Sequence, residues 1–310
     1  MNEFELIARL TRALPTNDSV VVGAGDDCAV LDLGLPDRWV LFKTDAVVEG
    51  IHFAPDAPPE KVGHKALARC LSDVAAMAGT PTAALVTLGL PPKLDVARVE
   101  ALYAGMRELA RRQGVAIVGG ETTTNPERLL VSIALVGWVG KGKCLRRSGA
   151  KPGDAIFVTG ELGGSLAGKH LEFEPRLAEA RWLAEHFPVS AMIDLSDGLA
   201  GDLRHVLSAS GVGAELLASA IPISHAAKRA FRDGASQKPP LLAALTDGED
   251  FELLFTVASR AAVPLLDAWK KQFPQLALKC IGKVTAGPAV TLRDKEDLRP
   301  LPAHGYVHFA

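Results

Sequence analysis

Short apolar stretches rich in strand-forming residues alternate along the chain with segments of helical period. The strand-like stretches cover residues 39–42, 84–88, 115–118, 129–139, 155–159 and 251–257. Apolar runs of this length between amphipathic segments are typical of sheets covered by helices. The pattern therefore predicts a mixed α/β protein.

The clearest helix signal covers residues 60–78, where apolar side chains recur at steps of three and four residues. These side chains are Leu67, Cys70, Leu71, Val74, Met77 and Ala78. One face of this helix should be buried. At about 100° per residue, Asp73 lies at the margin of the apolar face and Ser72 on the opposite side. Two more helices are predicted, from Asp95 as N-cap to Arg112 and from Asp197 to Ser210.

Residues 140–154, GKGKCLRRSGAKPGD, interrupt this pattern with four glycines, a proline and five cationic side chains. They separate two halves of similar length, each within the usual domain size of roughly 100–200 residues. We therefore expect an N-terminal domain over residues 1–140 and a C-terminal domain over residues 141–310.

The composition is that of an ordinary folded protein, with 48% hydrophobic and 23% charged residues among 310. The net charge of −2 provides no basic surface for nucleic acid. The longest strongly apolar run, residues 129–140, is shorter than the roughly 20 residues that cross a bilayer. The N-terminal MNEFELIARL carries acids where a signal peptide carries bases. These features favour a cytoplasmic protein that binds neither nucleic acid nor membrane.

Acidic residues beside turn residues recur throughout the sequence. They are Asp26, Asp27, Asp45, Asp73, Glu121, Asp194, Asp197, Glu249 and Asp250. Several follow a strand-like run, which places them at strand ends, where the sites of α/β proteins collect. Mg²⁺ takes oxygen ligands, commonly one or two carboxylates together with water and substrate phosphate. Dispersed carboxylates of this kind could hold several Mg²⁺ ions.

Each of these acids also has a purely structural interpretation, because aspartate beside glycine often bonds backbone N–H groups in turns and helix caps. Ser196 or Asp197 could open a helix, and DGED could form a hairpin turn. The sequence has no G-x-x-x-x-G-K-[ST], no kinase H-R-D or D-F-G and no G-x-S-x-G, and GAGDDC departs from G-x-G-x-x-G. The recurrence of carboxylates without another catalytic set favours metal binding.

Other polar residues leave two interpretations open. Arg146 and Arg147 lie in the basic segment, where a guanidinium could bind a nucleotide phosphate through two hydrogen bonds, or could simply be solvated. His52 lies between apolar neighbours and Tyr103 in a predicted helix, so packing is the default role for both. The four cysteines form no C-x-x-C pair and suggest neither zinc nor disulfides.

Taken in order, the motifs resemble those of the thiamine-monophosphate kinase family, in the superfamily of aminoimidazole ribonucleotide synthetase. The matching stretches are FELIARL, GAGDDCAVL, TDAVVEGIHF, GHKALARCLSDVAAMAGTP, VGGETT, RRSGAKPGD, IDLSDGLAGDL, GEDFELLFT and GYVHF. Together they cover nearly the whole chain, and TDAVVEGIHF and LSDVAAMAG resemble the kinase more than its relatives.

This resemblance implies the two-domain aminoimidazole ribonucleotide synthetase-like fold. Its N-terminal α/β domain binds metal and ATP and pairs with that of a second subunit in a homodimer. Its C-terminal domain is also α/β, and nucleotide is bound between the two domains. It also implies a reaction in which the γ-phosphoryl group of ATP passes directly to thiamine monophosphate. Thiamine diphosphate and ADP are the products, several Mg²⁺ ions assist, and no catalytic base is required because the attacking phosphate oxygen is already ionised.

The resemblance also implies site residues. The metal positions fall on Asp27, Thr44, Asp45, Asp73, Glu121, Asp194 and Asp197. The ATP contacts fall on Tyr103, Gly120, Glu121, Arg147 and Ser196, and the thiamine-phosphate contacts on His52 and Glu249. Asp26 is expected to shape the turn rather than bind metal.

Three positions depart from the family pattern. Glu121 replaces an aspartate and is longer by one methylene, Lys43 replaces a Ser or Thr before Thr44, and Ala303 stands where an aromatic residue can face the thiamine ring. Tyr306 is the nearest aromatic substitute for the last.

Two other functions remain open from the sequence. One is another ATP-using enzyme of the same superfamily, some members of which use a reactive cysteine. Cys28 would be the reactive cysteine in that case. The other is a protein that binds nucleotide and Mg²⁺ without catalysis.

Overall fold

A computed structural model describes residues 3–93, 95–302 and 305–306. Their helices are α1 (Glu3–Thr11), α2 (Pro59–Ala76), α3 (Val96–Gln113), α4 (Lys169–Glu172), α5 (Leu177–His186), α6 (Leu199–Ser210), α7 (His225–Arg232), α8 (Pro240–Thr246) and α9 (Ala262–Gln272). Short 3₁₀ turns cover Ser165–Ala167, Ala218–Ala220 and Ser259–Ala261. Within these residues, every helix is too short or too polar to cross a membrane.

The strands of the first half are β1 (Val20–Val22), β2 (Ala29–Leu31), β3 (Arg38–Val48), β4 (Thr80–Leu90), β5 (Ala116–Thr124) and β6 (Leu130–Gly140). Those of the second half are β7 (Asp154–Thr159), β8 (Val189–Asp194), β9 (Gly213–Leu217), β10 (Leu253–Ala258), β11 (Leu278–Thr285), β12 (Val290–Asp294) and β13 (Asp297–Pro300). The predicted mixed α/β class is therefore confirmed.

The first sheet has the strand order β1-β2-β3-β6-β4-β5, with β4 and β5 parallel and the other pairs antiparallel. Asp45 pairs with Ile133, which pairs with Val86, and this row faces the core beneath α2. Because side chains alternate along a strand, the neighbouring rows face the other way. That outer face exposes Phe42, Leu85 and Val136.

The second sheet has the order β13-β12-β9-β11-β7-β10-β8 and is buried on both sides at its centre. Alternate side chains of β7 and β10 enter two cores. Phe157 and Phe255 stack at 5.6 Å in the core shared with α2, whereas Ile156 and Leu254 pack in a second core with α6. The second half thus presents one face to the first half and one to its own helices.

Helix α2 is the wall that the two halves share, because it packs on α3, β3 and β6 of the first half and on α4, α5 and β8 of the second. Being enclosed on both sides, it buries Ser72 as well as Asp73. The sequence placed Ser72 on the side away from the apolar face, where solvent would be expected, and the contact with the second half explains why it is buried instead.

Two predicted turns differ in the structure. Neither Ser196 nor Asp197 is the N-cap of α6, which begins after Gly198 at φ 104°, and Asp202 in its first turn accepts from the N–H groups of Asp197 and Gly198. The DGED segment is not a hairpin turn either, since it links α8 to β10 and holds Glu249 at φ 59°.

The predicted start of α3 is confirmed. Asp95 is its N-cap and accepts a hydrogen bond from Ala97 N at 3.1 Å. The helix ends at Gly114 in the left-handed conformation.

Two glycines allow α2 and α3 to cross at backbone contact. A Cβ atom on Gly63 would lie 1.9 Å from the carbonyl oxygen of Leu102, and one on Gly105 would lie 1.8 Å from that of Glu60. Real Cβ atoms do not approach so closely, so any larger residue must push the helices apart. This crossing fixes the position of α2 against the first sheet.

We expect Gly63→Ala to lower the free energy of unfolding by about 1–3 kcal/mol, although alanine favours helices, because the added methyl group forces the two backbones apart. Urea denaturation would measure the change. Ala104→Ser adds one heavy atom at an exposed position of α3 and should have little effect. An unchanged or raised stability of Gly63→Ala would contradict the close crossing.

Candidate functional site

Three buried carboxylates from distant parts of the chain meet at the boundary between the two halves. Asp27 lies in the loop between β1 and β2, Asp73 lies near the end of α2, and Asp194 ends β8. One oxygen atom of each lies within 4.8 Å of the others. The fold thus brings together three of the acids that the sequence singled out.

Each carboxylate of this group has one polar partner. Arg147 Nη2 lies 2.5 Å from Asp27 Oδ1, and Nε of the same guanidinium donates to that oxygen at 3.1 Å. Lys43 Nζ lies 2.8 Å from Asp73 Oδ1. The Ser72 hydroxyl donates to Asp194 Oδ2 at 2.6 Å. Two side-chain cations therefore balance part of the charge of three acids.

The group is nevertheless short of positive charge. Burial and the neighbouring charge of Asp27 raise the pKa of Asp194 to about 7. Burial raises the pKa of Asp73 well above its usual value, although Lys43 opposes the shift. Asp27 Oδ2 is buried without a hydrogen-bond donor among the described residues. An orphaned buried oxygen in an all-oxygen donor set fits a hard divalent cation such as Mg²⁺.

Asp26, which was expected to shape the turn, is not one of the three grouped carboxylates. One of its oxygens accepts from Asp27 N at 3.0 Å, and both accept from Arg147 N, at 3.2 and 3.4 Å. Burial raises its pKa. Asp26 therefore fixes the turn and holds the segment that carries Arg147.

Asp45 lies on the same face of β3 as Lys43, two residues farther along, but outside the three-carboxylate group. Its Oδ2 accepts from Arg69 Nε at 2.9 Å, and its Oδ1 accepts from Ala46 N at 2.7 Å. Arg69, one turn before Asp73 on α2, connects this acid to a cavity that is separate from the three-carboxylate group. This cavity is named the second cavity.

That cavity brings together several of the predicted substrate and nucleotide residues. It is lined by Ile51, His52, Arg69, Leu166, Ser196, Asp197, Asp247, Glu249 and Tyr306. Asp197 thus belongs to this cavity and not to the three-carboxylate group. Ala303 lies outside the described residues, whereas Tyr306 does reach the cavity wall.

The wall of this cavity rests on a buried charge network centred on Lys65. The Lys65 side chain is fully buried, its Nζ donates to the carbonyl oxygen of His52 at 2.5 Å, and it also contacts Glu249 and His170. Arg69 Nη1 lies 3.7 Å from Glu249 Oε1. Although burial raises the pKa of Glu249, His170, Lys65 and Arg69 together lower it to about 2. Glu249 is therefore held as a carboxylate.

Sequence reasoning missed Lys65, Arg69 and His170. A signal for the first two exists, because Lys65, Arg69 and Asp73 recur at four-residue steps and so form one polar line along the helix. His170 meets Lys65 across 105 residues of sequence, and no local pattern marks it.

Four other predicted residues are not brought to the three carboxylates within one chain. Strand alternation directs the side chains of Thr44 and Glu121 to the outer face of the first sheet, opposite to Asp45. Gly120 lies next to Glu121 on the edge strand β5, and Tyr103 is half-buried on α3, packed against the core. Their roles as metal or ATP ligands remain predictions.

Two family models match the chain. The N-terminal domain of AIR synthase related protein matches residues 25–139, and the C-terminal domain of the same family matches residues 151–295. Their matches leave out most of the basic segment between the two sheets.

Curated relatives and solved structures give the same family. The thiamine-monophosphate kinase of Rhodopirellula baltica is 40% identical, over 96% of this chain and 93% of its own. That of Salmonella typhimurium is 38% identical, over 99% and 98%. A structure described as AaThiL complexed with AMPPCP and TMP superposes with a TM-score of 0.81 at 30% identity, covering 99% of this chain and 97% of that one.

We expect Lys65→Met to lower the free energy of unfolding by about 3–5 kcal/mol, because it leaves the buried Glu249 carboxylate without its closest cation. The double variant Lys65→Met with Glu249→Gln should regain part of the loss, since it removes both charges. Urea denaturation of both would measure this coupling.

Arg111→Met provides the matched control, since it breaks an ion pair with Glu108 that is exposed to solvent. It should change stability little. A Lys65→Met variant as stable as Arg111→Met, or a double variant with fully additive losses, would contradict the network.

Proposed function

Because the chain belongs to the thiamine-monophosphate kinase family within the AIR synthase related proteins, we propose that it transfers the γ-phosphoryl group of ATP to the phosphate of thiamine monophosphate. The observation that carries the proposal is full-length similarity to a structure whose description names an ATP analogue, AMPPCP, together with TMP. The products are thiamine diphosphate and ADP.

Asp27, Asp73 and Asp194 would hold Mg²⁺ in this reaction. When bound, the ions supply the positive charge that allows two polyanionic groups to approach one another. The buried, all-oxygen donor set with its orphaned Asp27 oxygen supports this assignment.

Arg147 is the residue of this chain best suited to position the nucleotide. Its side chain keeps 22% of its surface exposed while its partner Asp27 is buried, and Asp26 holds its backbone in place. A planar guanidinium offers further N–H donors beyond the two that Asp27 uses, and these match phosphate oxygens. Transfer then needs alignment and charge balance rather than a base, because the acceptor phosphate is already ionised near neutral pH.

The second cavity supplies the binding groups for the thiamine moiety. His52 Nδ1 accepts from Val48 N at 3.1 Å, so the proton of the neutral ring lies on Nε2, which becomes the donor. Glu249, held as a carboxylate, is the acceptor. A donor and an acceptor on one cavity wall can fix the orientation of a heterocycle that carries both kinds of group.

A homodimer formed through the outer face of the first sheet would complete the site. This face exposes Phe42, Leu85 and Val136, an apolar surface of the kind that marks protein interfaces. Thr44 and Glu121 lie on the same face. Pairing of two sheets would therefore bring these two predicted ligands to the interface. There they could contribute to the site, although within one chain they lie away from the three carboxylates.

The structure disfavours a cysteine-dependent relative as the alternative. Cys28 is buried beside Asp73, and burial raises the pKa of its thiol well above the usual value. A thiol in this environment is a poor nucleophile.

The purified protein with ATP, Mg²⁺ and thiamine monophosphate should form thiamine diphosphate, measured by chromatography after oxidation to the fluorescent thiochrome. Free thiamine should give no product, because it lacks the accepting phosphate. Asp73→Asn should lower turnover by at least about 100-fold, since it removes a charge that acts at the reacting phosphates.

Cys28→Ser is the control and should retain nearly all turnover. Folded wild-type protein that binds ATP yet makes no thiamine diphosphate would overturn the kinase proposal and favour a non-catalytic nucleotide-binding protein. Loss of turnover in Cys28→Ser, with the fold intact, would favour a cysteine-dependent relative.

Leu85→Asp and Val136→Asp should each convert a dimer into a monomer, because a charge in the centre of an apolar interface cannot be solvated. Light scattering after size-exclusion chromatography would give the mass. Val263→Asp places the same charge on the exposed surface of α9 and should leave the dimer intact. A wild-type protein that is monomeric at micromolar concentration would refute the interface.

A further inference from the structure

A lysine side chain takes up one of the carboxylate oxygens in the three-carboxylate group. Lys43 projects from the inner face of β3, and its Nζ lies 2.8 Å from Asp73 Oδ1. Both side chains are largely buried, with 23% of Lys43 and 10% of Asp73 exposed. The ammonium is therefore part of the group itself and not a surface charge that happens to lie nearby.

The charges of the group can be counted from its contacts. Asp27 is paired with Arg147, Asp73 is paired with Lys43, and Asp194 is bonded to the neutral hydroxyl of Ser72. Asp45 is paired with its own cation, Arg69, so this pair leaves the net charge unchanged. With all three carboxylates ionised, as metal binding requires, three negative and two positive charges leave one negative charge around Asp194 and the orphaned oxygen of Asp27.

An ammonium and a divalent ion compete for the same oxygen. Mg²⁺ binds carboxylate oxygen at about 2.0–2.1 Å, and an ammonium ion held against that oxygen repels it. Lysine carries its charge on a flexible four-carbon stem, and it keeps that charge at neutral pH because its ordinary pKa is near 10. The Asp73 side of the group is thereby neutralised without metal.

We propose that the Lys43 ammonium replaces one divalent cation at the three-carboxylate group, so that this chain binds one Mg²⁺ fewer than it would without the lysine. The inference rests on the proposed function in one respect, that the group holds Mg²⁺ at all. It adds that the Lys43 ammonium, which is covalently part of the chain, balances part of the negative charge. This cation is present at any Mg²⁺ concentration.

Removing the lysine should create a metal position. Lys43→Met keeps most of the side-chain volume but leaves Asp73 with no cation, so the group should bind one more Mn²⁺ ion per chain than the wild type. Mn²⁺ serves as the probe because its free form has a sharp electron paramagnetic resonance signal that disappears on binding. The titration is done on the full chain, without nucleotide, and counts bound ions independently of activity.

Two variants serve as controls. Lys43→Arg retains the positive charge and should bind the same number of Mn²⁺ ions as the wild type. Lys141→Met breaks a comparable lysine–aspartate pair, 2.9 Å from Asp32 and outside the group, and should also leave the number unchanged.

Equal, non-zero numbers of Mn²⁺ ions in wild type and Lys43→Met would overturn the role of Lys43 while leaving the metal-dependent kinase proposal standing. No Mn²⁺ bound by either protein would overturn the replacement by Lys43, whereas the kinase proposal would still be decided by the thiamine diphosphate assay, in which substrate phosphates supply further metal ligands. A Lys43→Met protein that folds only in the presence of Mn²⁺ would support the replacement, because the divalent ion then takes over the charge of the ammonium. One that stays unfolded even with Mn²⁺ would count against it.

Discussion

Mutual repulsion among buried carboxylates is the constraint on which this site depends. Asp27, Asp73 and Asp194 lie within 4.8 Å of one another and away from water, where like charges interact strongly. The surrounding elements each supply a compensating group: the basic segment supplies Arg147, β3 supplies Lys43 and α2 supplies Ser72. Because these groups come from both halves of the chain, the site forms only when the two halves are packed together.

At the second cavity, too, a buried charge is compensated by groups from distant segments, but there the charge is positive. There the buried group is a cation, Lys65, and the carboxylate of Glu249 and the carbonyl oxygen of His52 are arranged around it. Removing one partner of a buried ion pair destabilises a protein more than replacing both partners by apolar residues does. A single substitution at any charged member of either network should therefore be destabilising. Arg69 lies between the two networks, because it contacts Glu249 of the Lys65 network on one side and Asp45, two residues from Lys43 on β3, on the other.

The sequence was a good guide to the fold class, to the course of α2 and to the acids at strand and helix ends. Asp27, Asp73 and Asp194 could be singled out because carboxylates beside turns have a local signature. Ser72 and His170 could not, since their roles depend on contacts with segments about 100 or more residues away. The face of Thr44 and Glu121 depends on strand register, which a list of motifs does not contain.

Family resemblance and single-chain geometry therefore answer different questions. The resemblance names Tyr103, Gly120 and Glu121 as nucleotide contacts, while the structure places Glu121 on an exposed sheet face and packs Tyr103 against the core. The proposed homodimer would reconcile the two for Glu121, because it places this outer face at an interface. The exposed apolar side chains of the first sheet and the predicted ligands beside them would then have the same explanation, which is burial in the proposed dimer interface.

Helix α2 also sets the distance between the two buried networks. Lys65 and Asp73 are eight residues apart on it, and a rise of 1.5 Å per residue separates their levels by about 12 Å. The backbone of this helix, enclosed on both sides, fixes the distance between the buried network around Lys65 and the three-carboxylate group. Under the proposed function, a substrate whose ring and phosphate are separated by a different length could not reach both ends at once, so the helix would select by molecular length as well as by chemistry.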